Sequence, residues 1–186
     1  MKRNSKAAVR RRGILLRGRV FRVRRDWVEE PALRGKERRS ATMREIVEHA
    51  GSVVVLPVFP DRRILLVRQY RHAADSFLWE LVAGHIEPNE RPVQAARREL
   101  QEETGYEARR FERLLTFFPT PGFLTEQMHL FRATGLRAGA SRPEADEEFE
   151  VRAFTRRELD RLLRRGTLRD GKTLVGVLLE LARRRA

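Results

Sequence analysis

The stretch GHIEPNERPVQAARRELQEETGY, Gly84 to Tyr106, holds Glu87, Glu90, Glu99, Glu102 and Glu103 in a 186-residue chain of formal net charge +14. Pro92 suits a first helical turn and Gly105 the position just past a helix end, so the residues between them predict one helix of three to four turns. Val93, Ala96 and Leu100 then fall along an apolar stripe. Glu99, Glu102 and Glu103, at i, i+3 and i+4, share another face within ~6 Å of one another. Carboxylates placed in this way repel and raise each other's pKa unless a cation compensates. Arg98, four residues before Glu102, offsets part of that cost. A solvated acidic face is the plain alternative, but Glu103 stands near the helix C-terminus, where the dipole disfavours negative charge, and a bound cation is the simpler account. The chain has no cysteine, which excludes thiolate ligands. An all-oxygen set suits a hard divalent ion, Mg²⁺ or Mn²⁺, and Mg²⁺ is usually shared between one or two carboxylates and substrate phosphates. The pattern therefore points to phosphate chemistry.

The elements that must position these side chains follow from periodicity. Val20 to Val28 and Thr42 to Glu48 read as strands, the first half-buried. SVVVLPVF and RILLVRQY flank Asp61 and Arg62 and predict a hairpin of buried strands, and FLWELV runs directly into Gly84. RLLTFF, MHLFRA and EVRAFT are strand-like, and two helical patterns close the chain, Arg156 to Arg165 and about Leu174 to Arg184. This order predicts an α/β domain with a mixed sheet. Length and a 41% hydrophobic content allow one globular domain with an extra N-terminal element. Residues 1–48 are expected to form a basic tail and strands, and 49–186 the catalytic domain. Ile14, Leu15 and Leu16, interrupted by Arg17, are too short a run for a signal-peptide core or a membrane span, so the cytoplasm is the default location. Met1 to Arg25 carries eleven Lys/Arg and no acid. A nucleic-acid contact could use that charge, but no interleaved aromatics or recognised motif support one, and a solvated tail with weak, low-salt binding is the expectation. His85 and His129 read as structural or solvated, and Trp79 first as core, with a ring beside a nucleobase as the alternative.

Gly84, Glu90 and the run Arg98-Glu99-Leu100-Gln101-Glu102-Glu103-Thr104-Gly105-Tyr106, with five and then seven residues between them, resemble the full signature of the Nudix hydrolases. The resemblance implies a Nudix fold, an α/β/α sandwich around a mixed sheet, and hydrolysis of a pyrophosphate bond joining a nucleoside diphosphate to another moiety. It implies metal binding by Glu99 and Glu103, with Glu102 adding a metal contact or orienting the water. Arg98 would salt-bridge the helix, Glu90 would support it or bind a further ion, and the carbonyl of Ala83 would complete the set. Beyond this box, FFPTPGFLTE, with Pro121, Gly122 and Phe123, looks like the loop that marks the ADP-ribose pyrophosphatase branch. VRQYRHAADSFLWELVAG is similar to that branch too, with Arg68 and Arg71 where arginines contact substrate. Arg44 and Glu45 stand near positions that contact adenosine across a dimer. Similarity covers about residues 42 to 183. It implies a homodimer joined through N-terminal strands, acting on ADP-ribose or a related nucleoside diphosphate sugar to give AMP or NMP and a sugar phosphate. The alternatives are another Nudix substrate, such as a dinucleoside polyphosphate, FAD or another nucleotide sugar, and a noncatalytic RNA-binding Nudix fold. The sequence departs from the branch in PEADEEFEV, where Ala145 interrupts the acidic cluster that supplies a general base. Glu147 and Glu144 are the leading candidates for that base, and a solvated acidic loop is the alternative.

Overall fold

The computed structural model describes residues 6–32, 39–139 and 148–183. The chain divides into two compact units, residues 1–50 with 120–126, and residues 51–119 with 127–186. No helix among the described residues is long and apolar enough to cross a membrane.

The first unit is built on an antiparallel sheet of β1 (Ala8–Arg17), β2 (Arg22–Glu29) and β3 (Thr42–Glu48), in that order. Strand β1 corrects the expectation of a solvated tail from Ala8 onward. Its arginines are held by carboxylates: Arg10 forms a two-pronged pair with Glu29, and Arg12 does the same with Asp26 at 2.8 and 2.9 Å. Asp26 is buried and also accepts a bond from Arg24. These partners lie 14 and 19 residues from their arginines, so a run of basic residues read alone looks like a tail. The segment 120–126 joins this unit through β3, since the Val47 N–H donates to the Phe123 carbonyl at 2.8 Å and the Thr125 N–H to the Val47 carbonyl at 3.0 Å.

The second unit is a seven-stranded mixed sheet. Its path is β10 (Glu150–Phe154), β5 (Ile64–Arg71), β4 (Ser52–Val58), β9 (Met128–Ala138) and β8 (Tyr106–Phe117). Strand β6 (Ser76–Glu80) adds to β5, and β7 (Val82–His85) to β4. β4 is buried along its whole length, as its unbroken apolar run requires of a strand covered on both faces. Its Val54, Leu56 and Val58 pack with Leu159 of α2 (Arg156–Arg164) and Val177 of α3 (Gly171–Ala182). Its Val53 and Val55 pack with Ala95, Ala96 and Leu100 of α1 (Pro92–Thr104). One helix on one face and two on the other make the expected α/β/α sandwich. The expected β4–β5 hairpin is much reduced: the strands pair only at Val58 and Ile64, β7 takes the rest of that edge of β4 while β9 pairs along the other edge, and β5 takes β6 and β10.

FLWELV breaks at Leu81, where the chain changes partner from β5 to β4. The Leu81 N–H donates instead to Thr173 Oγ1 at 2.7 Å, so α3 satisfies a buried group at the switch. Asp170, the N-cap of α3, holds Thr173 and also the Lys172 ammonium. Lys172 in turn bonds Glu80, which is 1% exposed and takes a two-pronged bond from Arg71 at 2.8 Å. Burial pushes the Glu80 carboxyl up, and the bonds from Arg71 and Lys172 outweigh it, leaving the group below the ordinary carboxylate range. A folded pKa below the unfolded one gives stability that is present above the unfolded value, about 4.3, and is lost as pH falls through the folded value. Glu80→Gln is therefore expected to lower unfolding stability at pH 7 by about 1–3 kcal/mol, because it removes the buried carboxylate shared by Arg71 and Lys172, while Lys172 keeps Asp170. In urea melts the gap between wild type and variant should narrow as pH falls below about 4.

Candidate active site

Strand β7 and helix α1 bring the predicted carboxylates to one place. α1 ends where expected: Gly105 has φ 71 and its N–H donates to the Gln101 carbonyl at 2.8 Å. Tyr106 N–H then bonds Thr104 Oγ1 at 3.1 Å as the chain leaves for β8. Ala95, Ala96 and Leu100 are fully buried beneath the helix, which fixes the direction of the opposite, acidic side.

Arg98 is the hub of that side. Its Nε and Nη2 donate to the two oxygens of Glu90 at 3.1 and 3.0 Å, and its Nη1 to Glu99 at 2.7 Å and Glu102 at 3.0 Å. A further bond runs from Nη2 to the His85 carbonyl at 2.9 Å. The pairing with Glu102 was expected; Glu90 and Glu99 are additional partners. Glu90 is set by the Glu87 N–H as well, at 3.1 Å. The bond from Arg98 holds the Glu90 carboxyl below the ordinary carboxylate range against the pull of burial, and Glu90 is the largest influence raising the Arg98 guanidinium.

Two backbone positions of β7 shape the rest. The Glu99 carboxylate lies so close to Gly84 that a Cβ on that residue would overlap it. Glu103 is 4% exposed and accepts a 3.4 Å bond from the Ala83 N–H. With Glu99 and Glu102 turned to Arg98, no three His, Asp or Glu side chains among the described residues converge as a metal cluster. The donor chemistry nonetheless fits a hard divalent ion. Glu99, Glu102, Glu103 and the Ala83 backbone are all-oxygen donors around a cradle that only glycine at position 84 leaves open.

The arginines of β5 are also placed. Arg68 lies 5.2 Å from the Phe77 ring centroid and 6.0 Å from that of Trp79, and donates to Glu150 at 3.1 Å. Arg71 is fixed by Glu80, whose importance, with that of Lys172, Asp170 and Thr173, the sequence reading missed. The signal available was the spacing from Asp170 to Thr173, which suits a helix cap. Trp79 packs edge-on against Phe154 as core. His129 bonds Thr116, and burial followed by Arg113 pushes its imidazole pKa down. Arg44, Glu45, Pro121, Gly122 and Phe123 belong to the first unit. There Arg44 is bonded to Glu30 at 2.8 and 3.1 Å, Glu45 accepts from Arg25, and Phe123 is exposed. Glu144 and Glu147 lie outside the described residues.

The family model for the NUDIX domain matches residues 48–175. The methanol dehydrogenase activator of Bacillus methanolicus is 35% identical over 162 residues, covering 86% of this chain and 84% of that protein. The ADP-ribose pyrophosphatase of Bacillus subtilis (strain 168) is 36% identical over 139 residues, covering 74% and 75%. A crystal structure described as an ADP compounds hydrolase aligns with a TM-score of 0.77 over 94% of this chain and 91% of that one; at 22% identity the likeness is one of fold.

The Gly84 cradle gives a test that separates the site from the scaffold. Gly84→Ala places its methyl against the end of a flexible side chain rather than against backbone, so Glu99 must swing aside while the strand stays. The expected result is a melting temperature within a few degrees of wild type. Were Glu99 to ligate a divalent ion, as the resemblance implies, Mn²⁺ affinity measured by calorimetry would fall at least tenfold, since losing one ligand's geometry is worth ~1.4 kcal/mol or more.

Proposed function

The chain belongs to the Nudix family, and from that premise we propose that it hydrolyses the pyrophosphate bond of ADP-ribose or a related nucleoside diphosphate sugar, giving AMP or the matching nucleoside monophosphate and a sugar phosphate. The observation that carries this reading is the packing of Glu99 on Gly84 and of Glu103 on Ala83, with Arg98 holding the remaining carboxylates. Similarity to an ADP-ribose pyrophosphatase over three quarters of the chain supports the substrate class.

In this reading Glu99, Glu102, Glu103 and the Ala83 carbonyl hold Mg²⁺ or Mn²⁺. When bound, the ion supplies positive charge to the diphosphate and lowers the pKa of a water. The chain's own residues do the positioning. Arg98 orients Glu99 and Glu102. Glu80 fixes Arg71 through Nε and Nη2, which leaves Nη1 to meet a phosphate oxygen, and Arg68 adds a second cation on the same strand. Glu147 or Glu144 accepts the proton as water oxygen bonds to phosphorus and the second phosphate departs. Arg44, Glu45 and the loop of Pro121, Gly122 and Phe123 recognise the nucleoside. The reading also includes a cytoplasmic homodimer joined through the first unit's sheet. Trp27 and Met43, cross-strand partners there that are 43% and 41% exposed, support that assembly.

Glu103→Gln, like Glu99→Gln, is expected to lower kcat on ADP-ribose by about 10³-fold or more, because several kcal/mol of charge stabilisation depend on the ion it holds. The products should be AMP and ribose 5-phosphate, resolved by chromatography. Near-normal turnover in saturating Mg²⁺ would overturn the assignment. Light scattering at micromolar concentration should report twice the 21.8 kDa chain mass; a monomer would remove the shared interface.

A further inference from the structure

We propose that a cleft beside α2 and α3, lined by the turn that joins β4 and β5, is a binding site for a chain of phosphoryl groups, separate from the glutamate site. The cleft has a volume of about 720 Å³, within the range of ligand pockets. Arg62, Arg156, Arg157 and Arg183 line it, against only two carboxylates, Asp61 and Glu180. Both carboxylates are already engaged: Asp61 accepts from Arg63 at 2.7 Å, and Glu180 takes a two-pronged bond from Arg132 at 2.9 Å. Arg62 and Arg157 make no side-chain hydrogen bond or ion pair among the described residues. Arg156 is anchored by its bond to the Leu181 carbonyl, and Arg183 by a 3.4 Å bond to Glu112. The cleft thus offers two held guanidiniums and two uncommitted ones.

Its place in the fold separates it from the site above. α2 and α3 pack on Val54, Leu56 and Val58, the face of β4 turned away from α1. The start of α2 is not itself the attraction, because Thr155 and Glu158 already cap it. Arg62 is the more telling residue. It stands in the left-handed region at φ 68, in the tight turn where its N–H bonds the Phe59 carbonyl at 2.9 Å. Glycine or asparagine adopts that conformation more readily, so the turn itself does not call for an arginine. No aromatic ring lines the cleft, so nothing there would stack on a base. Planar guanidiniums match phosphate oxygens two at a time. The occupant is therefore recognised by its phosphates and not by a nucleoside.

The test is calorimetric titration of the full chain, in EDTA, with inorganic tripolyphosphate and, in a parallel arm, ATP. Arg62→Gly/Arg157→Gln removes the two uncommitted cations while keeping the turn favourable. A control of equal charge, Arg11→Gln/Arg19→Gln, alters exposed residues of β1 and of the bend that follows it, and tests for nonspecific attraction in so basic a chain. One tripolyphosphate site is expected, weakened at least tenfold by the first variant and unchanged by the control, with similar melting temperatures throughout. ATP should bind within threefold of tripolyphosphate. No binding, or equal weakening by both variants, would overturn the site, and much tighter binding of ATP would overturn its assignment to phosphate alone.

Discussion

All five N–H groups of the Arg98 guanidinium are bonded within the glutamate cluster: two to Glu90, one each to Glu99 and Glu102, and one to the His85 carbonyl. A lysine, with three donors and no planar fork, could not replace it. This one group makes the acidic face of α1 compatible with folding. It leaves the compensation incomplete, however, because three carboxylates meet one positive charge, and Glu103 is felt by Arg71 instead. The residual negative charge, near the unfavourable end of the helix, is what a divalent ion is suited to neutralise.

The sheet supplies the other half of the geometry. Glu99 and Glu103 would be unconstrained on an isolated helix; they are aimed because β7 offers them a residue without a side chain and a backbone N–H. β7 is available because the chain leaves β5 for β4 at Leu81, and that departure is secured from the far side by Thr173. The link continues through Asp170, Lys172 and Glu80 to Arg71, so elements on both faces of the sheet fix groups that the reaction would use. Replacing such a network with apolar residues would be tolerated by stability more readily than by positioning.

The glutamate helix was legible because its signals are local: Pro92, Gly105, the apolar stripe and the i, i+3, i+4 carboxylates all act within four turns. The buried strand β4 was legible for the same reason, as an unbroken apolar run. What escaped depends on distant partners. Strand β1 is ordered against carboxylates brought by β2, so its own residues resemble a tail. The reduced β4–β5 pairing follows from competition by β7 for the same edge of β4, which no window around Asp61 contains. Glu80 read as one polar residue in an apolar strand, since Lys172 lies 92 residues away.

The parallel pairing of β4 with β9 has a consequence for how the molecule comes into being. The three strands of the first unit's meander are neighbours in sequence and can close while the chain is still being made, at small loop-closure entropy. β4 emerges next, almost wholly apolar, yet the partner of one whole edge, β9, begins only at Met128, after α1 and β8. Pairings of such long sequence separation form slowly. During translation β7 and α1 can cover one edge and one face of β4 early, but its other edge stays unpaired until β9 has emerged. That interval is when a nascent chain is most open to aggregation and has most to gain from a chaperone.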